Sequence, residues 1–279
     1  MTFTAYNGVP IPYPMYGTAW KKEKTAQLVE RAVLVGFQSL DTANQIINYD
    51  EAQVGDALLA LAVQGGSREL LFLQTKFTLP RSQGNRAPYD IHASLETQVV
   101  QSFESSLGHL RTNYIDSYLL HGLYSRTGVS PEDWVVWSAM EKIYQEGNVN
   151  IIGVSNVNVE QLRQLSEKAN VKPMVVQNLC CKSMDWDYAV RKICRENKII
   201  YQGFSLMTGN QDVLNAPEVR AIAQRVGVGP QQVIFRFALQ LGVLPLIGTT
   251  NVQRMKEAHT VENFELTCEE MEQIKNLQV

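Results

Sequence analysis

The chain is short of charge. Of its 279 residues only 19% are Asp, Glu, Lys or Arg, below the ~25% usual in soluble domains. Apolar residues reach 45%. Disorder needs the reverse balance, so a compact body is expected, with much of the chain inside. The 25 basic against 28 acidic residues leave a net charge of −3. No general basic field exists to hold nucleic acid or an anionic membrane, and neither partner is expected. A local anion site is still compatible with that balance. Long hydrophobic runs are missing as well: nothing approaches the ~18 unbroken apolar residues of a membrane span. The segment Met1 to Tyr16 is mixed, without the basic start and apolar run of a signal peptide.

Cysteine and histidine are scarce. Cys180, Cys181, Cys194 and Cys268 form no C-x-x-C pair, so neither a disulfide framework nor a zinc site follows. Reduced thiols in a cytoplasmic protein are the simplest reading. His92, His109, His121 and His259 show no ligand spacing, and no metal is expected.

What is present is an alternation. Short β-rich runs end in polar clusters, and helical patterns follow them. The expected strands are Met15–Ala19, Phe37–Thr42, Leu70–Phe77, Ile115–His121, Val149–Ser155, Pro173–Asn178, Ile199–Ser205 and Val243–Gly248. Several are near-continuous apolar runs, as in strands covered on both faces. Helical periodicity marks Thr25–Gly36, Ile91–Leu110, Ser130–Gly147, Asn158–Ala169, Trp186–Asn197, Pro217–Val226, Pro230–Leu241 and Asn251–Glu262, with Thr267–Leu277 as a terminal helix. Tyr6-Asn7-Gly8-Val9 reads as a hairpin turn. This pattern predicts an α/β fold, a (β/α)8 TIM barrel with an N-terminal β-hairpin and a C-terminal helix, in one domain over residues 1–279. A doubly wound dinucleotide-binding sheet would carry G-x-G-x-x-G after its first strand. That motif is absent, and Gly227-Val228-Gly229 lies between helices.

In such barrels chemistry gathers at the C-terminal ends of the strands. Asp41, Lys76 and His121 stand at successive strand ends, and Tyr49 follows at the start of a helix. A phenol has an ordinary pKa of ~10 and releases its proton poorly at neutrality. A Lys ammonium beside it stabilises the phenolate, and an Asp can hold that Lys in place. A His can orient a carbonyl or relay a proton. Together they could hydrogen-bond a carbonyl oxygen and protonate it as charge develops. A nicotinamide cofactor is the natural hydride donor.

The chain here resembles the aldo-keto reductases over nearly its whole length. The resemblance rests on Gly17-Thr18-Ala19-Trp20, the run Gly36 to Ala43, Thr75-Lys76, Ile115 to His121, Gly153-Val154-Ser155-Asn156, Gln177, and Arg254 with Glu257. It implies a barrel that binds NADP(H) without a Rossmann motif and acts on small carbonyl compounds. No heptad or evident edge strand demands a partner, so a monomer is expected. The family's catalytic tetrad falls on Asp41, Tyr49, Lys76 and His121. By the same resemblance Trp20 walls the substrate pocket, and Ser155, Asn156 and Gln177 hold the nicotinamide carboxamide. Phe204 stacks on the ring, and Ser205 and Leu206 begin the loop over the pyrophosphate. Gly17, Thr18, Thr249, Thr250, Arg254 and Glu257 complete the implied cofactor site.

Departures from the family pattern matter. The usual tyrosine stands five positions after the aspartate; here that position is Ile46, and Tyr49 lies eight after Asp41 (49 − 41). The family's usual phosphate-site lysine is Gly248, which leaves NADH use open beside NADPH. The alternative to a reductase is a cofactor-binding sensor or regulatory subunit on the same barrel. A Schiff-base lyase using Lys76 is a third reading. Little chain follows Thr267–Leu277, so an open mouth tolerant of varied carbonyls is expected.

Overall fold

The computed structural model describes residues 2–278. Two short strands, β1 (Thr2–Thr4) and β2 (Pro10–Pro12), pair antiparallel around a turn in which Gly8 has φ +89°, a value open to glycine at no steric cost. The Tyr6 hydroxyl donates to the Lys172 carbonyl and the Asn7 amide to Asn150. These contacts seat the hairpin by the N-terminal ends of barrel strands, away from the ends that carry chemistry.

Eight parallel strands follow: β3 (Met15–Gly17), β4 (Ser39–Asp41), β5 (Phe72–Phe77), β6 (Ile115–Leu120), β7 (Val149–Ser155), β8 (Val175–Leu179), β9 (Ile200–Phe204) and β10 (Val243–Ile247). They close in chain order, with β10 pairing back onto β3. All eight expected strands are in the barrel: β7 has its expected bounds, β8 starts two residues late and ends one residue further on, and the other six are shorter than expected. The β3, β4 and β5 residues are all buried, as strands covered on both faces must be.

The helices α1 (Thr25–Leu34), α2 (Glu51–Val63), α3 (Leu95–Leu110), α4 (Pro131–Gln145), α5 (Val159–Lys168), α6 (Tyr188–Glu196), α7 (Gln211–Asn215), α8 (Pro217–Val226), α9 (Pro230–Gln240), α10 (Val252–Thr260) and α11 (Cys268–Lys275) connect and flank these strands. Their starts follow local chemistry. Ser130 and Asp133 form a capping box for α4, with Pro131 in the first turn. Asn158 with Gln161 and Thr267 with Glu270 do the same for α5 and α11. Each box satisfies two amides that a helix start otherwise orphans.

Two helices have no range in the expected set, although a helix start was expected at Tyr49. The first, α2, is apolar on more than one face; Leu59 and Val63 are exposed while Val54 and Ala57 are buried, so the stripe that reveals a helix is blurred. The second, α7, is five residues long. Expected boundaries also move: α3 begins at Leu95, after its Ser94 cap, instead of at Ile91. Trp186 precedes α6, in a run where Asp185, Trp186 and Asp187 all have positive φ. Its indole is buried against Phe237, with ring centroids 4.8 Å apart. Burying that ring wins over extending the helix.

Barrel register brings the polar interior together. Across parallel pairs, Gly17 lies beside Asp41, Asp41 beside Gln74, and Gln74 beside Ser117. On the opposite wall Ser155 lies beside Gln177 and Gln177 beside Gln202. Partners at one height face the same side of a sheet, so these residues form a polar layer inside the barrel.

Candidate active site

Asp41 ends β4, and Lys76 stands one residue before the end of β5. Their side chains pair at 2.7 Å and are 2% and 0% exposed. Lys76 Nζ also donates to the Thr42 carbonyl at 2.7 Å. Two buried charges are costly to desolvate, and geometry of this quality is what offsets the cost. Burial pulls the Lys76 ammonium below its usual range, while the Asp41 carboxylate pulls it back up.

His121 follows β6. Its Nδ1 lies 2.7 Å from the Thr78 hydroxyl, which fixes the ring. Nε2 makes no hydrogen bond to the protein among the described residues. Burial, and then the nearby Lys76 charge, hold the imidazole down at about 3, so it is neutral over the physiological range.

Tyr49 reaches this cluster through a coiled loop. The Asn48 and Tyr49 amides both donate back to the Gln45 carbonyl, at 3.2 and 3.0 Å. Asn44 N is bonded to the Lys76 carbonyl, and the Asn48 carbonyl accepts from Trp20 N at 2.7 Å. The added residues therefore fold back instead of reaching outward. The Tyr49 ring lies edge-on to His121, centroids 5.9 Å apart, and Lys76 Nζ is 5.2 Å from its centre. Tyr49 keeps some surface on the cavity, yet dense surroundings, and then the Asp41 charge, push its phenol well above the usual range. Asp50 caps α2 just behind it, accepting from Gln53 N at 3.1 Å.

A cavity of about 840 Å³ opens over these residues. Asp41, Tyr49 and His121 line it; Lys76 stands behind them, enclosed. Gly17, Ser155, Asn156 and Gln177 form part of its inner wall, and Trp20, 68% exposed, stands on its wall. Phe204, Ser205 and Leu206 line it beyond β9. Thr249, Thr250, Arg254 and Glu257 line it beyond β10. Thr18 is the exception among the expected cofactor residues: it is fully buried off the cavity, its hydroxyl donating to the Asp41 carbonyl at 3.0 Å. Trp20, Asn156 and Ser205 all hold left-handed backbone, with φ of 62°, 56° and 58°. Strain of this kind persists where surrounding structure enforces it, often at working sites.

The model of the aldo/keto reductase family matches residues 14–279. This chain belongs to that family. An uncharacterized oxidoreductase of Bacillus subtilis, YtbE, is 30% identical, with 98% of this chain and 91% of that protein aligned. The NADPH-dependent alpha-keto amide reductase of Saccharomyces cerevisiae is 29% identical over 99% and 90%. A Bombyx mori aldo-keto reductase solved with NADP superposes with a TM-score of 0.83 at 25% identity, covering 99% and 92%.

In this aldo/keto reductase the cavity has walls that motif reading did not find. Lys21 lines it, and its ammonium donates to the Gly248 carbonyl. A Cβ on Gly248 would lie 3.5 Å from Lys21 Nζ. The cation from the β3 loop thus occupies space beside the position where the family usually has a lysine. The glycine at 248 was the signal, but no spacing tied it to Lys21. Arg220 and Gln211, on α8 and α7, also line the cavity. Among the described residues, the metal-type side chains make no cluster of three that could hold a metal ion, and no helix is long and apolar enough to cross a membrane.

Proposed function

We propose that this aldo/keto reductase is a single-barrel, monomeric cytoplasmic enzyme that reduces small aldehydes or ketones with NADPH, Tyr49 being the proton donor. The observation that carries the reading is the convergence of a buried Asp41–Lys76 pair, Tyr49 and neutral His121 at one cavity. The names of the yeast and silkworm relatives, which mention NADPH and NADP, support the cofactor. The four free cysteines support a reducing compartment.

The residues present fit a dinucleotide phosphate. Gln177 Oε1 and Asp41 Oδ2 make no protein hydrogen bond among the described residues, and both side chains line the cavity. At the outer end, Arg254 is exposed at the start of α10, where Asn251 caps the helix by accepting from Arg254 N at 3.1 Å. A guanidinium at a helix N-terminus suits a phosphate. Lys21 adds a second cation. When bound, the nicotinamide supplies the hydride.

The protein's own part is to place and protonate the carbonyl. If Nδ1 donates to Thr78, His121 Nε2 can donate to the carbonyl oxygen only when the ring is charged; a neutral ring that donates from Nε2 accepts from the Thr78 hydroxyl at Nδ1. That second tautomer matches a ring held neutral by burial. Tyr49 shares the oxygen. Its raised pKa keeps the proton on the phenol until negative charge develops on the carbonyl oxygen. The Lys76 ammonium then stabilises the phenolate left behind, and Asp41 keeps that ammonium in position.

Tyr49→Phe tests this. We expect aldehyde reduction to fall at least ~100-fold, with NADPH binding by fluorescence titration retained. Undiminished turnover would remove Tyr49 from the role.

A further inference from the structure

Barrel interiors are usually filled by branched apolar side chains. This one carries Gln74 on β5 and Gln202 on β9, both 0% exposed. They touch across the barrel. Gln74 Nε2 donates to Asp41 Oδ1 at 2.7 Å and to Gln202 Oε1 at 2.8 Å. Gln177 Nε2 makes the same two bonds, at 3.0 and 2.8 Å. Gln202 Nε2 returns a bond to Gln74 Oε1 at 3.1 Å, and the Ser117 hydroxyl donates to that oxygen at 2.9 Å.

The hydrogen count leaves little freedom. An amide nitrogen has two hydrogens and an amide oxygen two acceptor sites. Gln74 and Gln177 use both hydrogens, and Gln202 Oε1 and Gln74 Oε1 use both acceptor sites. Turning either donor amide around would set its oxygen against the carboxylate. A buried amide is costly unless bonded, so packing alone would be better served by Leu or Met.

We propose that Gln74 and Gln202 are positioning residues: a buried amide pair that holds Asp41 as an anion facing Lys76 and, with Gln202 and Asp41 each accepting from Gln177, fixes the orientation of Gln177 on the cavity wall. This rests on the reductase reading above. Asp41 Oδ1 receives donors from Lys76, Gln74 and Gln177. A proton moving from Lys76 to that oxygen would meet two amide hydrogens already there. The network thus blocks neutralisation of the pair, and Lys76 keeps the charge that the Tyr49 phenolate needs. Gln177 is held with its nitrogen inward and its oxygen left for a ligand.

The test uses Gln74→Met, Gln202→Met and Ser117→Ala in the full chain. Alcohol oxidation with NADP requires Tyr49 to accept a proton, so its rate rises with pH. Gln74→Met should move that rising limb up by about one pH unit while leaving NADPH affinity within about twofold. Gln202→Met should move the limb and also weaken NADPH binding by about three- to tenfold, read by fluorescence without turnover. Ser117→Ala, a small change that tests the idea even if the glutamine variants misfold, should shift the limb less and in the same direction. Unmoved limbs in Gln74→Met and Ser117→Ala, with wild-type NADPH affinity in Gln202→Met, would overturn the proposal. If Tyr49→Phe instead retains full turnover, the assignment of Tyr49 as proton donor fails and the pH limb loses its meaning; NADPH affinity of Gln202→Met then decides the amide coupling alone.

Discussion

The two ends of the cavity are built on opposite principles. At the inner end nearly every polar group already has a protein partner: Asp41 is bonded to Lys76, Gln74 and Gln177, and His121 to Thr78. Asp41, Lys76, Gln74 and Gln177 are almost sealed from water, and His121 is half-buried at the cavity wall. At the outer end Arg254 is exposed, and Lys21 rests on a carbonyl instead of a carboxylate. The inner end is organised before any ligand arrives, so little reordering is needed when charge develops there. The outer end holds cations whose attraction for a phosphate is screened by salt.

Removing the buried cation should break this contrast most severely. Lys76→Met leaves the Asp41 carboxylate buried without its counter-charge, a change that costs about 3–5 kcal/mol. We expect a strongly lowered melting temperature and carbonyl reduction reduced at least ~100-fold. Thermal denaturation and steady-state rates check both. If Lys76→Met kept wild-type stability, the inner end would not be the tightly coupled unit described above.

The outer end should respond in affinity and not in stability. Arg254→Ala should weaken NADPH binding at least ~10-fold, because charge-assisted bonds to phosphate are strong. NADH binding should change little, and the salt dependence of NADPH affinity should flatten. Fluorescence titrations at two ionic strengths read all three. An equal loss for both cofactors would move Arg254 away from the extra phosphate.

Lys21 sharpens the same point at smaller scale. Lys21→Ala should weaken NADPH binding about threefold to tenfold. Adding Gly248→Lys to it should recover most of that loss, since Gly248 has room on the side where the Lys21 ammonium now lies. Failure of the double variant to recover would mean that Lys21 serves the loop and not the cofactor.

The parts that could be read in advance share one property: they are local. Apolar runs revealed the eight strands, and the Ser130-Pro131-Glu132-Asp133 run revealed where α4 begins. Asp41, Lys76 and His121 could be placed at one mouth because strand order puts strand ends there. Tyr49 was harder, since its position depends on the loop coiling back through Gln45, which no spacing encodes. Gln202 was hidden inside a run that read as apolar, Gln74 stood in the polar strand end before Lys76 with no sign of a partner, and both matter only through pairing across the barrel. Lys21 meets Gly248 across 227 positions of sequence. Such partnerships exist only once the barrel closes.

The smallest expected effect is on acid stability, and two histidines oppose each other in it. In the unfolded chain His121 would titrate near 6.5; in the fold, burial and Lys76 hold it at about 3. Between those values the unfolded chain binds the extra proton, so His121 lowers stability as pH falls through that window. His109 runs the other way. Its hydrogen bond to Glu51 raises its pKa above 6.5, so it contributes stability that is fully present below pH 6.5 and is lost as pH rises through the raised value. The loss of melting temperature from pH 7 to pH 5 should therefore shrink in His121→Asn and grow in His109→Gln. The His109 effect should be the weaker one, since its side chain is 41% exposed and solvent screens its pairing. Identical pH profiles for both variants and the wild type would show that acid sensitivity arises elsewhere, and that the sealed inner end does not pay for its neutral imidazole in this way.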